Sequence, residues 1–210
     1  MASGIYECIS MIARTIIDSK DELTELDRAI GDADHGINMA RGYAEVLQQL
    51  PQDEADIGVV LKKAGMVLLS KVGGASGPLY GTAYMKAARA AAGKTSLTVQ
   101  DGLGIFEAVI GGIQQRGKAQ RGEKTMLDAI IPAYEAYAAA ADAGQDAAGC
   151  LNAMCAAARE GAAYTETIPA TKGRASYLGE RSIGHRDPGA VSSQLTLESI
   201  RDYLLKKSRS

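Results

Sequence analysis

The chain lacks paired cysteines. Cys8, Cys150 and Cys155 include no CxxC spacing, and an odd count on helix-like segments reads as buried free thiols, not as a disulfide or zinc framework. Free thiols suit a reducing cytosol. A basic excess is missing too: 23 basic against 25 acidic side chains leave a formal charge of -2, without the electropositive surface that nonspecific nucleic-acid binding needs. No nucleic-acid partner is expected. Long apolar runs are also absent. The most apolar stretch, Ala129 to Ala158, is interrupted by Glu135, Asp142, Gln145 and Asp146, short of the roughly 18 uninterrupted residues of a membrane span. It reads as a soluble helical hairpin with no membrane partner. The opening MASGIYECIS has no basic stretch, apolar run and cleavage site of a secretory signal, so a cytoplasmic location is expected. No segment alternates as a strand does, and no fixed-period repeat suggests a solenoid.

Helical periodicity fills the space left by these absences. Ile5, Ile9, Ile12 and Ile16 form one stripe, Met39, Tyr43, Val46 and Leu50 another, and Ile57, Val60, Leu61, Ala64 and Leu68 a third. The pattern continues through Leu103, Phe106 and Ile110, through Leu127, Ile130, Tyr134 and Tyr137, and through Leu197, Ile200 and Leu204. It predicts an all-α fold of about eight helices, near 3–28, 36–50, 55–70, 76–92, 97–116, 124–142, 146–165 and 189–207, the first with a potential break between Asp18 and Asp21. Short connections favour antiparallel neighbours, hence an up-and-down bundle or barrel forming a single domain over 1–210.

The connections fall into two classes. Loops two, four and six (LPQDEAD, AAGKTSLT, DAGQDA) are undistinguished polar turns. Loops one, three, five and seven (IGDADHG, VGGASG, RGKAQRGEK, KGRASYLGERSIGHRDPG) are rich in glycine and in charged or hydroxyl residues. Alternate loops of an up-and-down bundle share an end, so all four of the second class are expected in one composite site.

Within LDRAIGDADHG, Asp27, Asp32 and Asp34 put three carboxylates in eight residues. Gathered together they repel, and a cation relieves the repulsion. Hard oxygen donors suit Mg²⁺, whose coordination is commonly completed by water and phosphate. The same string also fits a solvated acidic turn capping the next helix, but the flanking Gly31 and Gly36 and the converging loops favour the metal reading. The spacing and terminal Glu of a calcium-binding EF-hand loop are absent. A pair of ions would serve phosphoryl transfer. His35 reads as a phosphate hydrogen-bond donor, since imidazole is a poor magnesium ligand.

Gly73-Gly74-Ala75-Ser76-Gly77 precedes a helix, where close backbone approach and free amides attract phosphate. No P-loop is present: it would follow a strand, and Gly93-Lys94-Thr95 has Ala88 where the first glycine belongs. Arg174, Lys172 and Arg181 could neutralise phosphate, Arg174 foremost for its fork geometry. Lys118, Arg121 and Lys124 read as a solvated loop. Met126 reads first as core and second as an adenine lining, and Asp187-Pro188-Gly189 as a turn into the last helix.

The strings GDADHG, VGGASGPLYGT, RGKAQRGEKTMLDA and KGRASYLGERSIGHRDPGA resemble the nucleotide-binding L-subunit family of bacterial dihydroxyacetone kinases, along essentially the whole chain. The resemblance implies an eight-helix antiparallel barrel with ADP or ATP at one end and two Mg²⁺ on Asp27, Asp32 and Asp34. It implies nucleotide contacts from His35, Gly36, Ile37, Asn38, Ala75, Ser76, Gly117, Met126, Arg174, Asp187, Pro188 and Gly189. It further implies a dihydroxyacetone-binding K-type partner and, in the phosphoenolpyruvate-dependent version, a phosphotransferase-system subunit that rephosphorylates retained ADP. Two other readings stay open at this point: an ATP-exchanging kinase module for another small ketose such as a tetrulose, and a nucleotide-sensing regulator.

Overall fold

The computed structural model describes residues 3–208, so the first two and last two residues of the expected 1–210 domain lie outside the described residues. Within that range the chain is helical, in the order α1 Gly4–Asp18, α2 Lys20–Ile30, α3 His35–Gln49, α4 Ile57–Lys71, α5 Ser76–Ala90, α6 Val99–Gly117, α7 Leu127–Asp142, α8 Ala147–Tyr164 and α9 Pro188–Lys207. No strand occurs among the described residues.

The expected count of eight becomes nine because the first predicted helix breaks at Ser19 (φ -86°, ψ 8°). Asp18, Ser19 and Asp21 are weak helix formers, and the break lets the two halves bury different faces. Ile9, Ile12 and Ile16 of α1 enter the main core with Met39, Tyr43, Val46, Val60 and Leu68. Leu23 of α2 joins Ala129, Ala162, Ala190 and Val191 in a separate cluster. Burying a leucine contributes about 1.5–3 kcal/mol, enough to fix where α2 docks.

The α1 helix packs on α3, each helix from α3 to α9 packs on the next, and α9 returns to α1, so the neighbour relations close into a ring with α2 against α3 and α9. At one end, loops two and four are tied together: Ile57 N–H donates to Lys94 O (2.8 Å) and Gly93 N–H to Asp56 Oδ2 (3.1 Å). Helices starting at or near that end carry their own side-chain caps, Asp56 on α4 and Thr98 with Asp101 on α6, and Asp146 caps α8. In contrast, α3, α5 and α7 begin at Asp34, Ala75 and Met126 without a side-chain cap of their own. The three cysteines are free and buried, and no helix among the described residues is long and apolar enough to cross a membrane.

Candidate functional site

The four glycine-rich loops meet. Carboxylate oxygens of Asp27, Asp32 and Asp34 all lie within 4.8 Å of one another. Asp27, on the last turn of α2, is 9% exposed and serves as the missing cap of α3: its Oδ2 accepts the backbone N–H groups of Asp34 (2.8 Å) and His35 (3.1 Å). Its Oδ1 accepts no hydrogen bond among the described residues. Gly31 is required beside it, since a Cβ there would lie 2.1 Å from Asp27 Oδ1. Between Asp32 and Asp34, Ala33 takes φ 60°, a left-handed conformation that costs a non-glycine residue about 1–2 kcal/mol. Among the described residues, the other two non-glycine positions in this conformational region, Lys118 and Lys124, also lie in site-end loops. Strain concentrated in this way marks a geometry fixed by its surroundings. The carboxyl of Asp34 is pushed up, first by burial and then by the negative charge of Asp32.

Loop three lies over this cluster. A Cβ on Gly74 would be 3.8 Å from Asp34 Oδ2, and one on Gly73 2.8 Å from Asn38 Oδ1. Asn38 is buried and accepts from Arg41 Nη2 (2.7 Å). Ala75 precedes the uncapped α5, whose first residue, Ser76, places its Oγ 3.0 Å from His35 Nδ1.

His35, expected as a phosphate donor, has hydroxyl partners on both ring nitrogens in this structure. Its ring is buried, and Nε2 lies 2.9 Å from Ser192 Oγ on α9, so both nitrogens are engaged by hydroxyls. Burial lowers its pKa to about 4 against the opposing pull of Asp27, so the imidazole is neutral near pH 7. The chain of hydroxyls continues from Ser192 to Tyr80 (2.7 Å) and from Tyr80 to Ser193 (3.0 Å), and Tyr80 also donates to Gly189 O (3.3 Å). Gly36 sits where a Cβ would be 2.1 Å from Lys20 O, so it admits the close approach of α2 to α3. Ile37, next to it, is 46% exposed.

Loop seven reaches loop one through Arg174, whose Nε lies 2.9 Å from Asp32 Oδ2. Ala170 and Ala175 pack with Ile30 of α2, and the segment Arg174–Ser182 forms two 3-10 turns that kink at Gly179 (φ 55°). Lys172 pairs instead with Glu123 (3.8 Å) and Arg121 with Glu135 (2.9 Å). The loop ends at Asp187, which caps α9 by accepting Ala190 N–H (2.7 Å), with Pro188 in the first turn. The Asp187 carboxyl is pushed up to about 7, chiefly by burial and further by Asp128 and Asp27, while the Ala190 amide and Lys124 oppose the rise.

Met126 is core, 5% exposed, and lies against this turn: a Cβ on Gly189 would be 3.7 Å from Met126 Cβ. Gly117 is more peripheral, beside Leu79 one turn into α5. Lys124 corrects the solvated-loop reading. It is 1% exposed, and its ammonium donates to the carbonyls of Thr165 (2.5 Å), His185 (2.5 Å), Ser182 (2.8 Å) and Ile168 (3.2 Å). Desolvation lowers its pKa, with Asp187 and Glu166 pulling the other way. Buried Asp128 supports the same loop, accepting the N–H groups of Gly122 (2.5 Å) and Thr125 (2.7 Å).

An all-helical ring with a carboxylate cluster at one end, flanked by an uncapped helix start and an arginine, defines a class of domain built to hold a cation and an anion together. The chain belongs to the DAK2 domain family, whose model matches residues 29–202. It is 47% identical over 179 residues to the PEP-dependent dihydroxyacetone kinase, ADP-binding subunit DhaL, of Escherichia coli (strain K12), covering 85% of this chain and 85% of that one. It is 42% identical over 199 residues to the PTS-dependent dihydroxyacetone kinase, ADP-binding subunit DhaL, of Lactococcus lactis subsp. lactis (strain IL1403), covering 94% and 95%. The fold is shared with the dihydroxyacetone kinase from C. freundii in complex with AMP-PNP and Mg²⁺, with TM-score 0.68 and 24% identity over 94% of this chain and 33% of that chain.

Proposed function

We propose that this chain is the ADP-carrying subunit of a phosphoenolpyruvate-dependent dihydroxyacetone kinase. The observation that carries the reading is the gathering of Asp27, Asp32 and Asp34 within 4.8 Å, beneath the loop that opens α5. The donor set fits magnesium: the oxygens are hard, one Asp27 oxygen is spent on the α3 cap and the other is not, and three carboxylates suffice for two ions. When bound, magnesium would neutralise charge on the phosphate oxygens.

The residues of the chain do the rest by orientation. The amides at Ala75 and Ser76 face the anion from a helix start. Arg174, released from Asp32, offers a fork to phosphate. Met126 and the turn Asp187-Pro188-Gly189 hold the nucleoside, with Gly117 nearby. His35, held neutral between Ser76 and Ser192, fixes the first turn of α3, where Gly36, Ile37 and Asn38 border the ligand.

None of these groups forms a pocket for a small ketone, so the acceptor comes from a dihydroxyacetone-binding K-type partner docked over the site end. A phosphotransferase-system subunit then rephosphorylates ADP in place. The relatives named above, an ADP-binding subunit with PEP dependence and one with PTS dependence, support this over the tetrulose-kinase and regulator readings. The proposed setting is cytoplasmic, which the free buried cysteines Cys8, Cys150 and Cys155 support.

The test is a staged reconstitution. Protein purified without added nucleotide should release ADP and magnesium on denaturation. The chain alone with ATP should form no dihydroxyacetone phosphate, and turnover should require both the K-type subunit and the phosphoenolpyruvate-driven donor. Sustained turnover with the K-type subunit and ATP alone would move the reading to an exchanging kinase. Absence of nucleotide, with no rise in Tm on adding ADP and magnesium, would reject the site.

A further inference from the structure

Among the described residues, Lys124 is the one buried lysine or arginine, and this scheme leaves it unused. A lysine ammonium at 1% exposure has lost its hydration, and here no carboxylate replaces the water directly. Four backbone carbonyls do, those of Thr165, Ile168, Ser182 and His185. An ammonium has three N–H donors. The three shortest contacts saturate them, and the longest, to Ile168 at 3.2 Å, shares one.

These carbonyls run from Thr165, just past the end of α8, to His185 in loop seven, so one point charge gathers a segment that would otherwise have to close against its own chain entropy. Lys124 itself pays for the position with a left-handed backbone, φ 61°. Its placement explains the arrangement. Met126 follows two residues later at the start of α7, and the accepting carbonyl of His185 lies two residues before Asp187 on loop seven. Thr165 adds a second tie, its Oγ1 accepting Asp187 N–H at 2.9 Å while its carbonyl accepts from Lys124.

We infer that Lys124 is a positioning residue for the nucleoside: through the carbonyls of Thr165 and His185 it fixes the Asp187-Pro188-Gly189 turn against Met126. The inference rests on the nucleotide reading above. Lys124 reaches the ligand through these backbone groups and makes no hydrogen bond to the phosphate end, built on Asp27, Asp32, Asp34 and Ser76.

The experiment compares two probes, ADP·Mg and inorganic pyrophosphate·Mg, on the full chain. Two variants are used, Lys124→Met and the nearly isosteric Thr165→Val, which keeps the carbonyl and removes the tie to Asp187. Loss of a charged hydrogen-bonding hub predicts ADP release faster by about tenfold or more in Lys124→Met, and loss of the two neutral bonds of Thr165 Oγ1, to Asp187 N–H and to Ala162 O, by about fivefold in Thr165→Val. Pyrophosphate affinity should stay within about twofold of wild type in both. Should Lys124→Met fail to fold, Thr165→Val decides. Unchanged ADP release would overturn the inference, as would equal weakening of ADP and pyrophosphate, which marks a lysine that merely supports the fold. A wild-type chain that binds pyrophosphate·Mg and ADP·Mg equally well would overturn it while leaving the metal and phosphate site standing, whereas one that binds neither would overturn the nucleotide reading as well.

Discussion

Arg174 and Asp32 form an ion pair, Nε to Oδ2 at 2.9 Å, between the last loop and the first. The arginine side chain is 70% exposed, so the pair is weak and open to competition from any stronger anion or cation. An exposed pair of this kind contributes about 0.2–1 kcal/mol. Replacing Arg174 with Met therefore has opposite expected effects on the two ligands. Affinity for Mn²⁺ alone should rise, by less than about fivefold, because Asp32 loses a competing cation. Affinity for ADP·Mg should fall. Calorimetry with each ligand separates the two, and a parallel change would contradict the competition.

Gly31→Ala tests the cluster by sterics alone. A Cβ at Gly31 would press on Asp27 Oδ1 at 2.1 Å and approach the Asp27 carbonyl oxygen at 3.0 Å. The variant is expected to fold, to lose metal-dependent ADP retention, and to lower Tm modestly because Asp27 also caps α3. Full retention of nucleotide after gel filtration would show that Asp27 is not a ligand.

Asp34→Asn and Asp101→Asn form a matched pair. The first keeps an oxygen ligand and loses the charge that offsets magnesium, so nucleotide retention should drop. Asp101 belongs to the cap of α6, where it accepts from Thr98 N–H (2.9 Å) and pairs with Lys94 (3.0 Å). Its removal should lower Tm and leave retention intact. The two effects are read in one experiment, by melting and by chromatography of released ADP.

Asp187 makes the ligand-free protein sensitive to pH. Its carboxyl holds a proton up to about 7 in the folded chain, whereas in the unfolded chain it ionises near its ordinary value of about 3.9. Between those values the folded state binds more protons, so this group makes stability fall as pH rises from about 4 to 7. Asp187→Asn keeps an acceptor for Ala190 N–H and removes the charge. The Tm difference, variant minus wild type, is expected to grow across that interval and level off above it. A difference that stays constant with pH would mean that the carboxyl is not raised.

Much of this could be read from residue order. Alternation of plain and glycine-rich loops placed Asp27, Asp34, Ser76, Arg174 and Asp187 at one end, because neighbouring helices with short connections leave few other arrangements. The break at Ser19 was marked by weak helix formers but not by its cause, which is Leu23 seeking the α7–α9 side of the core. Lys124 was misread because its partners are carbonyls 41 to 61 residues away, and a carbonyl carries no side-chain signature. Ser192 and Ser193 did leave a trace, as hydroxyls at helical spacing from buried positions of α9, Ser193 four residues before Leu197 and Ser192 seven before Ser199. Polar groups on a core-facing stripe ask for a buried partner, and here that partner is the His35–Tyr80 pair of rings.

The shared use of Asp27 has a thermodynamic reach. Under the proposed function, one carboxylate closes the start of α3 and would also face the cation, so the order of that helix turn and the occupancy of the site would be two readings of one equilibrium. Magnesium need not contact the amides of Asp34 and His35 to slow their hydrogen exchange. By reciprocity, solvent conditions that fray the first turn of α3 will weaken cation affinity by the same free energy.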